Sequence, residues 1–288
     1  MSATLVWVSV MVYMVATAVY LVRVVSRGER WGKIGRGILI GGLGFHTLSI
    51  ILRWIDSCRL VAADRPEGWL GRIGFIMENA PLANLYESMV FFSWSIVLVY
   101  LLFDRKYGIP ALGAAVSPLA AMVVGLVSVL PGVSGDLVPH IPALQSYWLT
   151  IHVVTCFLAY AAFAISFVAS IIYLSRKWDR VKPGEGMSRR TLEDINYNVA
   201  TVGFLMLTIG IVTGAVWANY AWGTYWSWDN KETWSLITWF IYASLLHARM
   251  IASLKGKWMA VLSIIGFGAV LFTFFGVNYL LSGLHSYL

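Results

Sequence analysis

Eight long apolar runs, at residues 4–22, 37–55, 81–103, 109–129, 145–174, 196–216, 233–253 and 259–282, limit what this chain can fold into. Each can cross roughly 30 Å of hydrocarbon as a helix rising 1.5 Å per residue. The connections are short, apart from 54–80 and 175–195. Charged residues make up only 12% of the chain, about half the share in an ordinary soluble domain. The pattern predicts an all-α, polytopic membrane protein with eight transmembrane helices. No linker, low-complexity tract or internal repeat divides the chain, so residues 1–288 read as a single membrane domain. The first run has no basic residues before it and no cleavage signal, so it is expected to stay as a helix.

Lysine and arginine set the direction of insertion. If the N-terminus lies outside, segments 23–36, 104–108, 175–195 and 249–258 face inward and carry 16 basic residues. The outward segments carry 5: Arg53, Arg59, Arg65, Arg72 and Lys231. Both termini are therefore expected on the extracytoplasmic side of a cell (cytoplasmic) membrane. The net charge of +7 is then accounted for by topology and inner-leaflet lipid. It does not point to nucleic acid.

Ionisable groups within the spans are few, and an ionisable residue at membrane depth is a functional candidate. Four of the five histidines lie in the spans or at their edges: His46, His152, His247 and His285. Imidazole is a frequent ligand of haem iron; the alternative is a neutral histidine bonded to a backbone carbonyl. His152 lies near the outer start of span five and His285 at the outer end of span eight. His247 is thirteen residues beyond Trp234, roughly 20 Å deeper. It cannot share an iron with the other two and points to a second, inner site. His140, between Pro139 and Pro142, reads as structural.

Between His152 and His285 comes the stretch WGTYWSWDNKETW, residues 222–234, within an outer loop region 217–234. Aromatic belts at membrane interfaces explain Trp217, Tyr220 and Trp239. They explain poorly why Trp222, Gly223, Tyr225, Trp226, Trp228 and Trp234 are interleaved with Asp229, Lys231 and Glu232. Aromatic rings can line a flat apolar ligand, glycine allows close backbone approach, and a lysine can meet an anionic edge. Asp229 and Glu232 would orient Lys231, cap the next helix or fix the loop.

This loop resembles the tryptophan-rich WWD signature of haem-handling proteins in cytochrome c biogenesis. Its KETW continuation, with LQSYWLTIH upstream and GVNYLLSGLHSY at the end, resembles the CcsA/ResC branch of system II, as do FHTLSIILRW and NLYES. One departure is Asn230, where the branch has proline. The resemblance implies haem b as substrate and ligand, with His152 and His285 as an external pair of axial ligands and His247 as a transmembrane ligand. The partner of His247 would come from a separate CcsB/ResB-type membrane protein; His46, at matching depth, is the intrachain competitor. The implied activity is haem export and cytochrome c synthesis by the complex. Haem would be positioned at the outer loop for thioether attachment to the C-x-x-C-H motif of apocytochrome c.

The chain's own cysteines, Cys58 and Cys156, form no C-x-x-C pair and read as structural. Separate thiol-reducing proteins are therefore expected as partners. A b-type haem electron-transfer subunit is the alternative function, and a haem-free transporter is a third. A diheme subunit normally sets both ligands of each haem within a helical bundle and does not need the tryptophan loop.

Overall fold

The computed structural model describes residues 1–127, 129–130, 133–175, 188–251 and 256–281. His285, and several basic residues of the predicted inner segments (Arg176, Lys177, Arg180, Lys182 and Lys255), lie outside the described residues.

The described residues are helical and joined by turns. In chain order the helices are α1 (Ser2–Ser26), α2 (Glu29–Leu60), α3 (Trp69–Glu78), α4 (Leu85–Tyr107), α5 (Pro110–Leu126), α6 (Tyr147–Ser175), α7 (Arg189–Trp222), α8 (Asn230–Met250) and α9 (Lys257–Leu271). A π turn at Phe272–Gly276 carries α9 into α10 (Val277–Leu280). Each predicted span overlaps a helical segment, though not every one is long and apolar enough to cross a membrane, and α3 is an additional short surface helix. Among the described residues, six helices are long and apolar enough to cross a membrane: α1, α2, α4, α6, α7 and the continuous Lys257–Leu280 segment. α5 is shorter, at 17 residues. α8 is long enough but carries Lys231, Glu232, His247 and Arg249. The chain is an all-helical, multi-pass membrane protein.

Lipid exerts no hydrophobic drive between helices, so packing relies on small residues that admit large ones. Along α2, a Cβ on Gly35 would come within 2.9 Å of the Tyr20 ring and one on Gly42 within 2.7 Å of Tyr13, both on α1. In the second half of the chain, Phe163 of α6 stacks on Tyr242 of α8 with centroids 3.5 Å apart. Gly203 and Gly266 make room for that pair. α6 is the central helix, packed against α4, α5, α7 and α9.

Several buried polar groups are matched across helices. Ser166, Ser170, Asn196 and Ser263 bond to one another and tie α6, α7 and α9 together. Asp104 accepts from Arg36 at 2.6 Å and from the Ile109 amide at 2.8 Å, fixing the α4–α5 turn. At the opposite end of the bundle, Arg53 of α2 is buried and donates to Glu87 of α4 at 2.8 Å. Arg53 also donates to the carbonyls of Gly135 and Asp136 and lies over the Tyr86 ring. The NLYES stretch is thus explained locally: Asn84 caps α4, Tyr86 covers the guanidinium and Glu87 neutralises it. A buried pair of this kind is stable because its remaining hydrogen-bonding sites are also satisfied.

Candidate functional site

Two helix ends frame the site. α7 stops because Gly223 takes a left-handed conformation (φ 78°), and its amide closes onto the Asn219 carbonyl. A Cβ there would meet no protein atom within 4 Å, so among the described residues it is the turn that calls for glycine. α8 starts at a capping box. The Asp229 side chain accepts from the first turn of the helix, while Glu232 Oε2 reaches back to the Asp229 amide at 3.2 Å. The same Glu232 oxygen accepts from the Ser227 amide at 2.8 Å. Of the roles open to the acidic pair, capping and loop fixation are both observed.

Held this way, Trp228 has a left-handed backbone (φ 59°), unusual for a bulky residue, and its ring is 68% exposed. Trp226 meets it edge-on at 5.7 Å. Trp234 packs on Phe272 of the π turn at 4.2 Å. Trp222 packs against Trp217 at 4.8 Å.

Beneath the loop is a cavity of about 110 Å³. His152 lines it from α6, Gly214 from α7, Tyr225 and Trp226 from the loop, Lys231 from α8 and Phe274 from the π turn. Glu232 also reaches it. The remaining walls, including Phe157, Tyr160 and Ile211, are mostly apolar. Lys231, in the first turn of α8 ahead of the apolar run, is pushed down to about 7 by burial, with the Asp229 carboxylate opposing that shift. Trp222, Gly223, Trp228, Asp229 and Trp234 do not line the cavity; they brace the loop around it.

The setting of His152 defines its chemistry. Its Nδ1 lies 2.7 Å from the Gly210 carbonyl. A carbonyl only accepts, so Nδ1 carries the proton and Nε2 keeps its lone pair. That tautomer is suited to binding a metal through Nε2. A Cβ on Gly214 would sit 2.5 Å from His152 Nδ1, so only glycine leaves room for the ring. The Trp217 ring stacks on the imidazole at 6.3 Å and 16°, and its indole N–H donates to the Ala143 carbonyl at 2.9 Å. Trp217 is 4% exposed, so it is a brace for the histidine and not the interfacial belt residue expected from sequence. Tyr220, 71% exposed, does fit a belt. Trp239 bonds Thr208 on α7 and is partly buried.

Sequence reasoning did not single out Gly210, Gly214 or Phe274. The two glycines, four apart, form a small-xxx-small spacing that signals close helix contact. Nothing local, however, shows which side chain approaches.

The other histidines are placed elsewhere. His247 is exposed on the outer surface of α8. His46 is fully buried, and its Nδ1 meets the Tyr13 hydroxyl at 3.0 Å. α2 packs against α1, α4 and α5, whereas α8 packs against α7 and α9. His140 Nδ1 bonds the Glu78 carbonyl at 3.1 Å, as a structural histidine would. Cys58 and Cys156 are free thiols. Cys156 lies at the cavity wall, 3.7 Å from His152 Nδ1.

The family described as cytochrome C assembly protein matches residues 82–285, which include the whole cavity. A cytochrome c biogenesis protein CcsA of Guillardia theta is 38% identical over 278 residues, covering 88% of this chain and 85% of its own. A CcsA protein of Parasynechococcus marenigrum is 37% identical over 291 residues, covering 91% and 88%. One of Prochlorococcus marinus (strain NATL1A) is 36% identical over 275 residues, covering 84% and 81%. Among solved structures, cytochrome c haem lyase CcmF superposes with a TM-score of 0.70 at 17% identity. The superposition covers 95% of this chain but 46% of that one, so the likeness is one of fold. The chain belongs to the cytochrome c assembly family and, within it, to the CcsA family, as a multi-pass membrane protein of cytochrome c biogenesis.

Proposed function

We propose that this chain carries haem b to the outer face of the cell membrane and positions it there for attachment to apocytochrome c, in a complex with a CcsB/ResB-type subunit. One observation carries the reading: a single cavity collects a ligand-ready imidazole, the loop's aromatic rings and a lysine against apolar walls. These parts match the faces of an iron porphyrin, with the apolar walls for the ring, His152 for the iron and Lys231 for a propionate. His285 is assigned as the second axial ligand by resemblance. The wider loop region, residues 217–234 of one membrane domain spanning 1–288, would hold the porphyrin with its vinyl groups accessible.

Attachment adds each thiol S–H across one vinyl C=C, forming a C–S bond while the hydrogen ends on the neighbouring carbon. The chain's contribution is positioning: it holds the haem, excludes water and fixes the imidazole. The thiols would be kept reduced by separate proteins, since Cys58 and Cys156 are far apart in sequence and unpaired. His247 is assigned to an inner haem, with its second ligand from the partner subunit. Its exposed position and the packing of His46 against Tyr13 support this over an intrachain pair.

The topology assigned is eight spans with both termini and the tryptophan loop outside. Cysteines introduced singly at Ser188 and Ser227, with Cys58 and Cys156 replaced, should label from opposite sides with an impermeant thiol reagent. For the site itself, His152→Ala and His285→Ala should weaken haem retention and abolish cytochrome c maturation, and added imidazole should restore part of it. Normal maturation in both variants would overturn the outer-site assignment. Haem retention without transfer to a C-x-x-C-H substrate would indicate an electron-transfer subunit instead.

A further inference from the structure

A cleft separate from the cavity at His152 opens where the C-terminal turns of α2 meet α3. It measures about 400 Å³, within the range of ligand pockets. Ile51, Trp54, Ile55 and Cys58 form one wall and fall at helical spacing along a single face of α2. Phe75 and Ile76 of α3 form the other. The Trp54 indole N–H donates to the Ile76 carbonyl at 2.6 Å, which fixes α3 across α2 and shapes the cleft.

The cleft has a chemical direction. Its apolar wall begins at Ile51, and its two basic groups, Arg59 and Arg65, stand beyond Cys58, at the end of α2 and after the short turn that follows. Ile51 and Arg59 are separated by about 12 Å along the helix axis. α2 is long and apolar enough to cross a membrane. The arginines therefore sit at headgroup level and Ile51 sits at acyl-chain level. Ile51 and Ile55 remain exposed. No carboxylate lines the cleft among the described residues. Asp56 touches Arg59 at 3.4 Å, but both side chains are exposed, and such a contact competes weakly with another anion. α3 also carries Trp69, Ile73 and Ile76, exposed at helical spacing, as a helix lying in a bilayer surface would.

We propose that this cleft binds an anionic phospholipid, with one acyl chain along the α2 face and the phosphate between Arg59 and Arg65. The planar fork of a guanidinium suits phosphate oxygens. A long apolar body that ends in one anion uses both ends of the cleft, whereas an apolar helix of a protein partner would use only the isoleucines. The inference is independent of the haem reading and needs only that α2 crosses the membrane. It has a consequence for α6. The Met77 carbonyl of α3 accepts from Thr150 Oγ1 at 2.6 Å, so a lipid that holds α3 also holds the start of the helix that carries His152.

The test uses the full chain with its partner subunit in phosphatidylcholine nanodiscs. These are doped with phosphatidylglycerol carrying a diazirine in one acyl chain. This probe should cross-link to the α2 face of the cleft or to Phe75 and Ile76. Phosphatidylcholine with the same diazirine should label those positions about tenfold less or weaker still, since each arginine near a membrane surface favours an anionic lipid. Arg59→Gln combined with Arg65→Gln should remove the preference, and Arg59→Lys combined with Arg65→Lys should keep most of it. Ile55→Trp, at an exposed position, leaves both arginines in place and should cut labelling by the anionic probe, because the indole fills the path of the acyl chain. A photoreactive benzoylphenylalanine replacing Ile76 should capture lipid. Equal labelling by the two probes, or an anionic preference that survives both the double Gln variant and Ile55→Trp, would overturn the proposal. Capture of the partner subunit from Ile76 in place of lipid would also overturn it.

Discussion

Replacing Gly214 by alanine tests the site through a residue that has no reactive group of its own. The new Cβ would lie 2.5 Å from His152 Nδ1 and 2.7 Å from Cε1, whereas comfortable contacts are about 3.5–4.0 Å. The imidazole must therefore retreat by about 1 Å. It is held in place by the 2.7 Å hydrogen bond to the Gly210 carbonyl. A 1 Å retreat along that direction takes the bond beyond hydrogen-bonding range. Overpacking costs about 1–3 kcal/mol and the lost bond about 1 kcal/mol. At 1.4 kcal/mol per decade, haem retained at the outer site should fall at least roughly tenfold. The assay is the reduced haem spectrum per mole of purified complex, alongside cytochrome c yield. Because Gly214 acts only through His152, combining Gly214→Ala with His152→Ala should add almost nothing to His152→Ala alone. Imidazole should rescue the double variant as well as the single one. A wild-type spectrum and yield in Gly214→Ala, or fully additive losses in the double variant, would refute the argument.

Breaking the buried Arg53–Glu87 pair by Arg53→Ala should destabilise the protein by about 3–5 kcal/mol, seen as a lower melting temperature in detergent. Replacing both partners by leucine should cost much less. His46→Ala should cost about 1 kcal/mol of stability through the lost Tyr13 contact and leave inner haem intact. His247→Ala should lose the inner haem with an unchanged melting temperature, and equal haem loss in both variants would move the second inner ligand to His46. Lys231, held near 7 by burial, is charged below that pH and neutral above it. Its attraction to an anionic propionate is therefore present at low pH and fades as pH rises through 7. Haem retention by the wild-type protein, measured from pH 6 to 9, should fall accordingly, whereas Lys231→Arg should stay flat. A pH-independent wild type would remove Lys231 from propionate binding.

Much of this protein can be read along the chain because a bilayer simplifies the problem. Lipid demands continuous apolar helices, so six of the predicted spans are, among the described residues, helices long and apolar enough to cross a bilayer, and Asp229 with Glu232 marks the start of another helix. The tryptophan loop and His152 also stood out, because ionisable groups and dense aromatics are costly or unusual at those positions. What sequence did not decide was which groups face each other. Trp217 looked like a belt residue, yet it is buried against His152, because exposure depends on the packing of α6 on α7. Gly223 also ends α7 in a left-handed conformation, a role that sequence reasoning did not give it. Gly210 and Gly214 looked like any small residues in a span; only the crossing of two helices makes one a hydrogen-bond acceptor for the imidazole and the other its clearance. Helix formation depends on contacts four residues apart and is written locally. The cavity depends on contacts between residues such as 152 and 214, and only the tertiary structure brings these together.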